Sequence, residues 1–204
     1  MRHIPSRDTR TYEDVSFEAA LKRAIKPNDS YDVEKWLFVP CAYEEYRYIL
    51  GTRGKNPLIC IGINPSTAAP DRLDPTLKSA QRIALSNGYD SFMMMNVCAQ
   101  RATSPGDMDA RADERLHAEN MRAFDYLLSL RPRPAVWAAW GNLVETRPYL
   151  LAFAKDMIRL GNERGAEWYC CGPVSRKGHP HHPLYLKANE PLVPFGAEAY
   201  LQNA

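Results

Sequence analysis

Four short apolar runs, each closing on a glycine or a small polar turn, constrain this chain more than any other feature. The first, Leu58-Ile59-Cys60-Ile61-Gly62, leads into Ile63-Asn64-Pro65-Ser66-Thr67-Ala68, and a segment of helical periodicity follows from Pro75 to Ser86. The second, Phe92 to Val97, precedes a helical segment from Ala112 to Leu130 whose Leu116, Phe124, Leu127 and Leu128 share one face. The third, Ala135 to Gly141, precedes another from Arg147 to Arg159, and Glu167 to Gly172 is the fourth. Such runs are strands buried on both faces, and their alternation with helices predicts a parallel sheet covered on both sides. The expected architecture is a three-layer α/β/α fold around a four-stranded parallel central sheet. Residues 41–204 read as a single domain and residues 1–40 as an N-terminal extension. That extension carries a short helix around Phe17 to Ile25 and an edge strand at Trp36 to Val39. Tyr43 to Leu50 reads as a further strand ending at Gly51.

At 204 residues, 45% hydrophobic and 25% charged, the chain suits one well-buried globular domain. A formal net charge of +2 argues against a dedicated nucleic-acid coat and leaves room for a local basic groove. Met1-Arg2-His3-Ile4-Pro5 runs into charged residues without an apolar core, so no signal peptide is read. The apolar runs are too short to span a bilayer, and a cytoplasmic location is expected. Cys41, Cys60, Cys98, Cys170 and Cys171 include no Cys-x-x-Cys pair, which predicts reduced thiols rather than a zinc or iron–sulfur site.

Parallel strands bring their carboxyl ends to one edge of a sheet, where ligands bind. The turns Gly62 to Pro65, Asn96 to Arg101, Trp140 to Asn142 and Lys177 to Tyr185 are therefore expected to converge on one pocket. Gly62 allows close approach of a backbone or ligand, Pro65 pushes Asn64 into an extended conformation, and Ser66 or Thr67 can cap the next helix. Asp74 fits the N-cap of a helix with Pro75 at its first position, and a capping aspartate can still face the pocket. His179, His181 and His182 are separated by Pro180 and Pro183, which prevents helical spacing, and no acidic residue lies among them, so no metal is expected. Gly-x-Ser-x-Gly, the P-loop and Gly-x-Gly-x-x-Gly are absent, and Cys98 has no evident base beside it. No cofactor is expected.

Asn64-Pro65-Ser66-Thr67-Ala68, Asp74-Pro75-Thr76, Asn96 with Arg101-Ala102-Thr103, Ala139-Trp140-Gly141 and His182-Pro183-Leu184-Tyr185-Leu186 resemble, in order, the bacterial and phage family catalogued as domain of unknown function 1643. The same strand ends are more distantly similar to the uracil-DNA glycosylase superfamily. Gly62-Ile63-Asn64-Pro65 resembles its water-positioning motif, with Asn64 where Asp or Asn stands. Met93 to Asn96 resembles the strand whose terminal Asn reads the edge of a base. Val136 to Gly141 resembles the strand closing on Trp-Gly, and His182-Pro183 with Leu184 resembles the loop whose His stabilises the departing base. The resemblance implies a uracil-DNA glycosylase-like fold and hydrolysis of the N-glycosidic bond of a nucleobase in nucleic acid or a nucleoside. The alternatives it leaves are a non-hydrolytic binding module or a base-modifying transferase. It assigns catalysis to Asn64 and His182, and Asp74 joins them as the candidate base that an amide at Asn64 cannot be. Substrate binding falls to Gly62, Pro65, Ser66, Thr67, Asn96, Arg101, Trp140 and Tyr185, with Tyr185 or Trp140 stacking on a base and Arg101 on a phosphate. Asn64 in place of Asp implies slow turnover unless Asp71 or Asp74 serves as base, and the missing Ser after Pro183 together with the near-neutral charge favours a small or single-stranded substrate.

Overall fold

A computed structural model describes residues 14–187 and 189–203. The readings of residues 1–13, including that of Met1 to Pro5, lie outside the described residues. The first half of the chain runs α1 (Phe17–Ala24), β1 (Trp36–Val39), β2 (Ile49–Thr52), β3 (Pro57–Gly62), α2 (Pro75–Ser86), β4 (Ser91–Asn96) and α3 (Glu114–Ser129). It continues through β5 (Ala135–Ala138), α4 (Pro148–Glu163), β6 (Glu167–Cys171), β7 (Leu192–Pro194) and α5 (Ala197–Asn203).

The strands form one seven-stranded sheet in the order β1-β2-β4-β3-β5-β6-β7. It is an α/β fold as expected, but the sheet is mixed and not four-stranded. The pairs β3–β4, β3–β5 and β5–β6 are parallel. The hairpin β1–β2 adds antiparallel to β4, and β7 adds antiparallel to β6. The strand expected over Tyr43 to Leu50 and ending at Gly51 starts only at Ile49 and runs through Gly51 to Thr52. A Cβ there would overlap the Phe92 carbonyl, so Gly51 lets β2 approach β4 closely. β7 is only three residues long, Leu-Val-Pro, and only partly buried, so it does not stand out as a strand in the sequence.

Side chains alternate across the sheet and build two cores. Ile59, Ile61, Met93, Met95, Val136 and Ala138 pack with residues of α1, α3, α4 and α5. Leu58, Cys60, Phe92, Met94 and Trp137 pack on the other face against Leu77, Ala80, Ile83 and Ala84 of α2. Helices on both faces follow from the chain's direction. β3 passes through α2 to β4 on one side, and α3 then carries the chain back to β5 on the other side of β3. The crevice at the carboxyl ends of β3 and β5 is thus a topological switch point. α1 and β1 both belong to these cores. No helix of the described residues is long and apolar enough to cross a membrane. All five cysteines are free, and all but Cys41 are buried.

Candidate functional site

At the carboxyl edge of the parallel strands lies a cavity of about 280 Å³, lined among others by Asn64, Ser66, Asp74, Asn96, His182 and Tyr185. Contributions come from the ends of β3 and β4, the start of α2 and the loop after β6. A wider groove of about 980 Å³ opens beside it, sharing Ser66, Asp74 and Thr103 and adding Thr67 and Arg72.

The β3 turn holds its Asn by one end. Asn64 Nδ2 donates to the carbonyls of Pro65 at 3.1 Å and Ala102 at 2.9 Å, tying the first strand end to the second. Its Oδ1 has no partner among the described residues and remains a hydrogen-bond acceptor at the cavity. Asn96 is buried, with an Nδ2 that has no partner among the described residues. Its main chain is held by Asn120, whose Nδ2 donates to the Asn96 carbonyl at 2.9 Å. Gly62 sits opposite Asn96 in the ladder. A Cβ on Gly62 would lie 2.8 Å from Asn96 Oδ1 and 2.6 Å from Met94 Cε, so the glycine makes room for the Asn96 amide.

Asp74 caps α2, its Oδ1 accepting from the Leu77 N–H at 2.9 Å, with Pro75 at the first helical position. Ser66 and Thr67 lie too early in the chain to cap this helix and line the groove instead. Asp74 is also the one carboxylate among the described residues of the cavity wall, so cap and cavity residue are the same group. The same helix positions His182, because Ser79 Oγ donates to the Pro183 carbonyl at 2.8 Å. The Leu184 N–H donates to His182 Nδ1 at 3.3 Å. An acceptor Nδ1 assigns the neutral ring's proton to Nε2, which has no partner among the described residues. Burial pushes this imidazole down to about 4, partly opposed by the Asp74 charge. His182 is therefore a neutral donor at pH 7.

Gly141 adopts φ +67°, and a Cβ on it would lie 3.2 Å from His182 Cβ. The Trp-Gly turn thus serves His182 through its glycine. Trp140 itself is fully buried away from the cavity. It packs on Phe195 and Tyr200, and its Nε1 donates to Tyr200 Oη at 3.1 Å. Tyr200 Oη in turn lies 2.7 Å from His179 Nδ1, and His179 Nε2 lies 3.2 Å from Glu145. His179 and His182 therefore serve different places, and no group of three metal-type ligands occurs among the described residues. Arg101 is fully buried, its guanidinium over the Tyr43 ring at 4.6 Å and its Nη1 donating to the Ser66 carbonyl. It supports the 66–68 loop and does not line the cavity. Tyr185 stands at the mouth, 79% exposed, beside Leu184. Cys98 is buried, and burial pushes its thiol up to about 12, which removes it as a nucleophile.

Residues 47–184 match the family model described as Protein of unknown function (DUF1643). The chain belongs to this family. No curated protein and no solved structure matches it. In this DUF1643 chain the matched span opens on Arg47 and closes on Leu184, and both line the cavity.

Arg47 is the site residue that sequence reasoning missed. It precedes β2 and its N–H donates to the Ala99 carbonyl at 2.9 Å, which sets it at the carboxyl edge of β4. Tyr46 and Tyr48 on either side turn toward α1, donating to the carbonyls of Asp14 and Val15. Alternation sends Arg47 to the opposite face. Its Nη1 donates to the Ala68 carbonyl at 3.2 Å, while Nε and Nη2 are buried without a partner among the described residues. Burial and the nearby Arg101 push it down to about 9, with Asp74 acting the other way. The Tyr-Arg-Tyr alternation was the available signal. It set an Arg in an otherwise buried aromatic segment, which is costly unless the charge has a use.

Proposed function

We propose that the cavity receives a nucleobase with its sugar, and that the protein hydrolyses the N-glycosidic bond on a uracil-DNA glycosylase-like scaffold. The observation that carries the reading is the state of His182. Its ring is neutral and presents its protonated Nε2 in a cavity that also holds the Asn96 amide and the Asp74 carboxylate.

Cleavage develops positive charge on the sugar and negative charge on the departing base. The water oxygen bonds to C1′, the C1′–N bond breaks with its electron pair going to the base, and the base takes up a proton afterwards. His182 Nε2–H stabilises the departing base by hydrogen bonding, as a preorganised donor does for a developing anion. Asn96 pairs with polar groups of the base edge. Asn64 Oδ1 accepts a hydrogen bond from the attacking water. An amide cannot take that water's proton, so Asp74 does so.

One observation favours a second reading, a pocket that binds a modified base without cleaving it. Asn64 is a doubly bonded strut where the superfamily pattern also admits a carboxylate. Base release from a panel of modified oligonucleotides and nucleosides separates the two. Hydrolysis predicts release that falls about 10²–10³-fold in His182→Ala. Asp74→Asn, which keeps the cap, lowers it about 10²–10⁴-fold. Binding without release from any substrate establishes the second reading. Release indifferent to both substitutions places the chemistry elsewhere.

A further inference from the structure

The cavity wall contains a buried cation with no ion-pair partner among the described residues. Arg47 is 1% exposed, and of its three guanidinium nitrogens Nη1 donates to the Ala68 carbonyl while Nε and Nη2 have no partner among the described residues. Arg101 beside it is 0% exposed and repeats the pattern, bonded to the Ser66 carbonyl with Nε and Nη2 unpartnered. Neither guanidinium forms an ion pair among the described residues. Asp74 lies near enough to favour both charges, and it already spends an oxygen on the cap of α2. Two buried cations held side by side cost free energy that an anion would offset. The fork of a guanidinium matches the oxygens of a phosphate.

We infer that Arg47 is the receptor for the terminal phosphate of the ligand, and that the ligand is a free nucleoside monophosphate. Arg101 is a positioning residue, holding the 66–68 loop whose Ala68 carbonyl orients Arg47. A terminal phosphate can be seated against a guanidinium that is almost wholly enclosed, because it leaves the ligand by one bond. A phosphodiester within a strand needs two exits from the same place and belongs in an open groove. The near-neutral net charge agrees, since nucleic-acid affinity rests largely on many phosphate contacts. The inference rests on the preceding reading for the base half of the ligand only; the phosphate half stands on Arg47 itself.

The test is calorimetric titration and thermal shift with inorganic phosphate, the common ribo- and deoxyribonucleoside 5′-monophosphates, their parent nucleosides, and a single-stranded oligonucleotide with hydroxyl ends. Inorganic phosphate is expected to raise the melting temperature of the wild-type protein. At least one monophosphate is expected to bind tenfold or more tighter than its nucleoside. Arg47→Gln should abolish both differences. The wild-type comparison of nucleoside with monophosphate needs no variant, so a poorly folded Arg47→Gln does not shelter the idea. Equal affinity for nucleoside and monophosphate overturns it. So does failure of phosphate and every monophosphate to bind. An oligonucleotide that binds as tightly as the best monophosphate overturns the choice of a free ligand. If Asn96→Ala leaves nucleotide affinity unchanged while phosphate protection persists, the base reading fails and the phosphate site stands.

Discussion

Gly62→Ala tests whether the glycine of the first strand end serves a ligand or serves Asn96. Its Cβ would lie 2.6 Å from Met94 Cε and 2.8 Å from Asn96 Oδ1. Ordinary carbon contacts lie at about 3.5–4.0 Å, so each neighbour must give by about 1 Å. Met94 ends in a flexible thioether and can yield at little cost. Asn96 has less freedom. Its main chain is fixed by the ladder to β3 and by Asn120, which leaves rotation of its amide as the way out. Overpacking a buried site costs about 1–3 kcal/mol, and the Met94 route keeps this change in the lower half of that range. The effect on recognition is larger relative to its cause. Two well-placed amide bonds to a base edge are worth about 1–3 kcal/mol, which is roughly tenfold to a hundredfold in affinity. Urea denaturation measures the first quantity and ligand titration the second, in wild type, both single variants and Gly62→Ala/Asn96→Ala. If the alanine acts through Asn96, it adds nothing to the affinity loss once Asn96 is already Ala. Losses that add in full would refute the reasoning and mean that Gly62 itself approaches the ligand.

The His182 imidazole titrates near 4 in the folded protein against about 6.5 unfolded, so between those values the unfolded chain binds the extra proton. Stability should therefore fall as pH drops from about 6.5 toward 4. His182→Gln should flatten part of that slope in denaturation curves at stepped pH, and an unchanged slope would contradict the burial argument. Ser79→Ala removes one of the two donors to the buried Pro183 carbonyl, the other being the Leu186 N–H at 3.2 Å, and should cost about 0.5–1.5 kcal/mol by urea denaturation, with weaker ligand binding because α2 no longer holds the His182 loop. Trp140→Phe removes the donor to Tyr200 and should cost about 1 kcal/mol while leaving ligand affinity within about twofold; a large affinity loss would restore Trp140 to the pocket. Arg47→Met should leave the unliganded protein as stable or up to about 4 kcal/mol more stable in phosphate-free buffer, because a desolvated charge disappears with one hydrogen bond. A loss of stability there would mean that the guanidinium is compensated within the fold.

Much of the parallel half was legible because local rules agree there. Pro75 at the first helical position behind Asp74 marks the start of α2, and the apolar runs of β3 and β4 need burial on both faces. The order of strand ends then brought Asn64, Asp74, Asn96 and His182 to one edge. What failed to show depended on partners distant in the chain. β7 is short and half-buried, and its pairing with β6 rather than its composition makes it a strand. Trp140 adjoins Gly141 in sequence, yet Tyr200 from α5 claims its indole. His179 looked like a neighbour of His182 until the same tyrosine drew it away. Arg101 follows a strand end and was read as a phosphate contact of the site, whereas the Tyr43 ring and the 66–68 loop bury it.

The unforeseen antiparallel pairing of β2 and the missed arginine are one omission. In a purely parallel sheet every strand reaches the ligand edge with its carboxyl end, and here those ends deliver neutral groups: two asparagines and an uncharged histidine. β2 runs the other way, so it begins at that edge and brings Arg47 there just before its first residue. The residue type then matters. Burial pushes this guanidinium down only to about 9, so it stays charged at neutral pH, whereas a lysine starts lower and would be driven toward neutrality by the same desolvation. On the proposed reading the two strand directions divide recognition between them. The parallel strands supply hydrogen-bonding groups for an uncharged heterocycle, and the antiparallel strand supplies a permanent positive charge for the group attached to its sugar.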